Sequence, residues 1–147
     1  MPILNYTTSI STEKTAAEIQ RRLADAKAQA VMCEYDAAGV MCAMSFRIQL
    51  PSGPISFRLP ANTEGVYRSL RDNRRVPSKY KTREQAARVV WRILKDWVEA
   101  QVAIVEADMA AMDEVFFPYA QSEITGETLY SRVKASGYKL LKAPDAK

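Results

Sequence analysis

The clearest pattern along the chain is strict alternation between residues 40 and 50. Val40, Cys42, Met44, Phe46, Ile48 and Leu50 fall on one parity, and Met41, Ala43, Ser45, Arg47 and Gln49 on the other. A period of two predicts a strand with one buried face. The run AVMCEY (30–35) before it, and Ile55, Phe57 and Leu59 after it, read as flanking strands. Asp36-Ala37-Ala38-Gly39 and Pro51-Ser52-Gly53-Pro54 supply the turns, so the three strands predict an antiparallel meander. ILNYTTSI (3–10) is rich in β-branched and aromatic residues and predicts a further strand on the meander's edge.

Helical signals fill the rest. Ile19 and Leu23 lie one turn apart behind Thr15 and Glu18, which have capping-box spacing, and predict a helix over roughly 13–28. Asn62 or Thr63 caps a short helix reaching about residue 73. A basic linker, NRRVPSKYK (73–81), follows. Thr82 and Gln85 have the spacing of a second capping box, and no Gly or Pro interrupts the pattern before Pro118, so one helix of more than 30 residues is expected. A loop over 121–127, a helical stretch from about 127 and a mobile tail, KAPDAK, complete the chain. The expectation is a single α+β domain. A small β-α-β-β-β antiparallel sheet (1–61) precedes a short and a long helix (62–118) and a C-terminal segment (119–147).

The 147 residues suffice for one core without staples. No run approaches the roughly 20 apolar residues of a membrane span. The start, MPILNYTTSI, lacks the basic and apolar parts of a secretory signal, so a cytoplasmic location is expected. Cys33 and Cys42 lie in apolar runs and read as small buried hydrophobes, with a cross-strand disulfide the alternative. Histidine is absent, which removes the usual general base, the common triads and most zinc sites. No glycine-rich phosphate loop or acidic metal pattern is present, so neither a cofactor nor catalysis is expected. Asp96 and Glu99 could share a helical face, but nothing nearby completes a site.

Charge changes the picture more than composition does. Residues 68–95 hold ten Arg/Lys against two Asp/Glu, whereas residues 96–127 hold eight Asp/Glu and no Arg/Lys. The long helix crosses this boundary with its bases first and its acids last, opposite to what the helix dipole favours. One explanation is self-association. Val90, Leu94, Trp97, Gln101 and Ile104, continuing to Ala111 and Val115, fall mostly at alternating four- and three-residue steps. Two copies packed antiparallel along that seam would set each basic half against an acidic half, giving a homodimer.

The other explanation is a phosphate-bearing ligand. Arg71, Arg74, Arg75, Lys79, Lys81, Arg88 and Arg92 are candidates to pair with phosphate oxygens, and Tyr67, Tyr80 and Trp91 to stack on bases. Arg88 and Arg92 lie one helical turn apart and could clamp a phosphate. Nucleic acid is the first partner expected and a nucleotide the second. Phe116-Phe117-Pro118-Tyr119 reads either as a staple onto the core or as a partner contact.

NYTTSI (5–10), KT (14–15), EIQ (18–20), YDAAG (35–39), LPAN (59–62) and RVVWRILKDWVEAQ (88–101) resemble a family of short proteins encoded in phage and prophage genomes. The resemblance covers about two-thirds of the chain and implies a phage origin. In architecture the chain is also similar to phage proteins that defeat Thoeris immunity by sequestering a cyclic ADP-ribose signal. That likeness implies an anti-defence role, either through a nucleotide signal or by blocking a host protein.

Overall fold

The computed structural model describes residues 1–144 and shows an α+β fold. Helix α1 (Thr12–Asp25) starts at Ser11, whose Oγ accepts from the Lys14 amide, and buries Thr15, Ala16, Ile19 and Leu23. Strands β1 (Ala30–Tyr35), β2 (Met41–Leu50) and β3 (Gly53–Pro60) form the expected meander. Met44 faces Leu59, Phe46 faces Phe57 and Ile48 faces Ile55. The alternation in β2 slips by one at its start, because the pairing with β1 carries a bulge at Glu34–Tyr35. Met41 is therefore buried while Val40 is exposed.

The segment 3–10 is not a strand, which corrects the expected first element. It turns at Asn5, whose φ is 66°, and its carbonyls go to a helix instead of a sheet. Gln85 Nε2 donates to both the Tyr6 and Thr8 carbonyls, at 2.9 and 2.8 Å. The free edge of β3 is taken by β4 (Ala120–Gln121), and the sheet order is β1-β2-β3-β4.

Helix α2 (Thr63–Asp72) is capped by Asn62, and helix α3 (Arg83–Glu106) by Thr82. Helix α3 ends 12 residues before Pro118, again against expectation. Asp108 adopts φ 57°, the Asp108 amide donates to the Val105 carbonyl, and the Met109 amide to that of Ile104. This is a Schellman ending, with aspartate where glycine is usual. Lys27 (φ 77°) ends α1 in the same way. A short α4 (Met112–Val115) then delivers Phe116 into the core, where it meets Phe46 edge-on at 5.1 Å. Helix α5 (Leu129–Ala135) follows β4. The last three residues of KAPDAK lie outside the described residues.

Helices α1 and α2 flank α3, and Ile19, Leu23, Leu70, Val89, Trp91, Val98 and Val102 share one buried cluster with Met44, Phe46, Phe57 and Leu59 of the sheet. This packing disposes of the apolar seam. Val90 is buried, and Leu94 and Trp97 pack against the chain's own core. Trp97 stands edge-on to Phe116 and Tyr119 at 5.4 and 5.3 Å. Gln101 and Ile104 are half-buried. The seam is thus not a free coiled-coil face along Val90, Leu94 and Trp97, and a dimer built on those residues would compete with the fold.

Cys33 and Cys42 are both free and half-buried, so the cross-strand disulfide does not form. No helix among the described residues is long and apolar enough to cross a membrane.

Candidate phosphate-binding face

The basic block folds into α2, a linker and the start of α3. In α2 the inward positions are Val66 and Leu70, which leaves Arg68 and Arg71 exposed on the other side. The helix stops at Asn73, whose Oδ1 accepts from the Arg75 amide and whose Nδ2 donates to the Met1 carbonyl. That local turn exposes Arg74 and Arg75. Val76 then anchors the linker in the core, and a single 3-10 turn (Ser78–Tyr80) leads to Lys81 and the Thr82 cap. The cations are therefore held by short, anchored backbone.

Their pairing separates them into two groups. Arg71 Nε donates to Asp72 Oδ1 at 2.8 Å, and Arg83 Nε to Glu64 Oε1 at 2.8 Å. The hydrogen bond from Arg83 is the main reason the Glu64 carboxyl lies below its ordinary pKa. The nearby arginine charges act in the same direction and desolvation acts against it. Asp72 is lowered likewise, first by its hydrogen bond from Arg71. Arg68, Arg74, Arg75, Lys79 and Lys81 have no carboxylate partner among the described residues. Arg68 and Arg74 line one shallow, open hollow of about 510 Å³ with Ser69, Asp72 and Asn73.

The aromatic candidates are less free. Arg83 lies over the Tyr67 ring at 4.4 Å, with Arg71 at 5.9 Å. Lys79 lies over Tyr80 at 5.0 Å, and Tyr6 meets Tyr80 edge-on at 5.7 Å. Trp91 must be withdrawn as a stacking residue. It is 0% exposed, and its Nε1 donates to the Met41 carbonyl at 3.3 Å.

The proposed Arg88–Arg92 clamp is also not formed. Arg92 Nη1 donates to Glu18 Oε2 and Thr15 Oγ1, and its side chain is only 14% exposed. Arg88 is half-buried and gives its Nε to Gln85 Oε1. It faces a separate groove of about 720 Å³ where the starts of α1, α2 and α3 meet the β1–β2 turn. Tyr35 stands at this groove, with Met41, Ala61 and Ala87 among its apolar lining. Four carboxylates also line it. Asp36 is engaged by the Ala38 and Val40 amides and Glu64 by Arg83, while Glu13 and Glu84 make no ion pair among the described residues. Sequence reasoning missed this groove because its walls come from four distant segments.

Asp96 and Glu99 are structural: Asp96 accepts from Asn5 Nδ2, and Glu99 from Lys95 at 3.1 Å. Among the described residues, no three His, Cys, Asp or Glu side chains are grouped to hold a metal ion. No protein-family model, curated protein or solved structure matches the chain.

Proposed function

We propose that the protein is a non-catalytic, phage-type accessory protein that acts in the host cytoplasm by binding nucleic acid through α2 and the 73–82 linker. The observation that carries this reading is the set of five cations, Arg68, Arg74, Arg75, Lys79 and Lys81, left without carboxylate partners on one anchored stretch. Unpaired arginine and lysine clustered along one segment suit the electrostatics of a phosphate backbone. The ion pairs of Glu64 and Asp72 go to Arg83 and Arg71, so neither carboxylate closes an ion pair with the other five. Tyr67 and Tyr80 carry cations over their faces, which favours backbone contacts over base stacking. Fluorescence anisotropy with labelled single- and double-stranded oligonucleotides tests the reading. Binding should weaken steeply with salt, and its absence at low salt would sink the idea.

A second reading is favoured by the groove at Arg88. There the protein takes up a small cyclic nucleotide signal as an anti-defence protein, with Arg88 on the phosphate and Tyr35 against the base. Glu13 and Glu84 in the same lining oppose an anion, which places this reading second. Calorimetry with a cyclic-nucleotide panel separates the two: groove binding is lost in Arg88→Ala and kept in Arg74→Glu/Arg75→Glu.

A further inference from the structure

Helix α5 and the 3-10 turn Lys139–Leu141 bury no residue against the rest of the chain. Leu140 is 85% and Leu141 75% exposed, and Tyr130 and Tyr138 are also exposed. A seven-residue helix has little stability of its own, because most helical stability comes from packing an apolar face. Here Leu129 and Val133 are only half-buried, and the leucines of the turn that follows are exposed. The same segment is basic throughout. Arg132, Lys134, Lys139 and Lys142 have no carboxylate partner among the described residues, and residues 128–144 contain no Asp or Glu.

The segment just before it has the opposite character. Asp108, Asp113, Glu114, Glu123 and Glu127 make no ion pair among the described residues. They are interspersed with exposed apolar side chains: Met109 is 73%, Phe117 56% and Ile124 95% exposed. Although α5 rests against the Phe117–Tyr119 turn and β4, none of its cations reaches these acids within one chain. Each surface has the chemistry the other lacks.

We propose that residues 129–142 are a docking arm that seats on the acidic, apolar surface of residues 108–127 of a second copy of this chain. Because each copy carries both surfaces, one two-fold contact satisfies both arms at once. The leucines supply the apolar anchor, and the charges set partner and register. A phosphate backbone is a poorer occupant, since it offers nothing to Leu140 and Leu141. This self-association uses none of the basic face of α2 and stands independently of nucleic-acid binding.

Sedimentation velocity over a concentration series, at low and physiological salt, tests the arm in the full chain. Wild type should be a dimer that weakens with salt. Leu140→Asp/Leu141→Asp should raise the dimer dissociation constant by at least about tenfold per leucine. Its far-UV circular dichroism should be unchanged, because both side chains are exposed in the single chain.

Two charge-reversed proteins test the complementarity directly: Lys134→Glu/Lys139→Glu/Lys142→Glu and Asp113→Lys/Glu123→Lys/Glu127→Lys. Each should be a monomer alone, and an equimolar mixture should form a heterodimer, since reversing both surfaces restores both contacts. A wild type that stays monomeric at all concentrations would overturn the proposal. So would a dimer that survives the leucine substitutions, or a charge-reversed pair that does not associate on mixing; that last result would assign the arm to a different acidic partner.

Discussion

The Arg92 guanidinium donates to Glu18 Oε2 at 2.6 Å and to Thr15 Oγ1 at 3.4 Å, and so ties α3 to α1. A charged group hydrogen-bonded at a largely desolvated site contributes more than an exposed ion pair. Arg92→Ala should therefore lower stability by about 1–2 kcal/mol, read as a shift of the urea midpoint. The same variant should bind oligonucleotides as wild type does. Normal stability with lost binding would instead make Arg92 a ligand contact.

Trp91 fills the space between α3 and the sheet, with its indole N–H on the Met41 carbonyl. Truncating it removes both the largest fully buried side chain and the partner of a backbone carbonyl. Trp91→Ala should cost about 3–5 kcal/mol. Trp91→Phe should cost less, because it loses mainly the hydrogen bond. Thermal unfolding followed by circular dichroism should order the three proteins accordingly, and an unchanged transition in Trp91→Ala would contradict this placement.

Helix ends at Lys27 and Asp108 carry side chains in the left-handed region, which costs L-residues about 1–2 kcal/mol, less for aspartate. Asp108→Gly and Lys27→Gly should be neutral or stabilising by up to about 1 kcal/mol. Asp108→Val should destabilise, since a β-branched residue resists that conformation. Denaturant titration of the three variants checks the sign of each change.

How much of the fold was legible follows from where its determinants lie. Asn62 and Thr82 were readable as helix starts because each cap is local: Oδ1 of Asn62 and Oγ1 of Thr82 accept from amides three residues on. The Asp36 turn was readable for the same reason. The end of α3 was not, because aspartate at a Schellman position gives a weaker signal than glycine. Residues 3–10 had strand composition, but Gln85, nearly 80 positions away, claims their carbonyls. Arg92 looked like a ligand because its partner is 74 residues distant. The basic character of 68–81 needed no tertiary information. Which of its cations stay unpaired became visible only once Glu64 and Asp72 were placed.

Those two carboxylates give a pH and charge prediction. Their pKa values are lowered in the folded chain, first by hydrogen bonds from Arg83 and Arg71. Groups of that kind favour folding above their unfolded pKa, about 4, and lose that contribution as pH falls through the lower folded value. Glu64→Gln/Asp72→Asn should accordingly lessen the loss of stability with falling pH in that acid range. At neutral pH it removes two negative charges beside Arg71 and Arg83, so oligonucleotide binding should tighten and grow more salt-dependent. A pH–stability profile and an anisotropy titration check the two effects separately.

The most direct test of the proposed function is the slope of log affinity against log salt for labelled oligonucleotides, compared between wild type and Arg74→Glu/Arg75→Glu. Five phosphate contacts predict a slope of roughly −3 to −5, shallower by about two in the variant, with affinity down at least about tenfold. Tight wild-type binding with an unchanged slope and affinity in the variant, or no binding at low salt, would contradict the assignment of this face to nucleic acid.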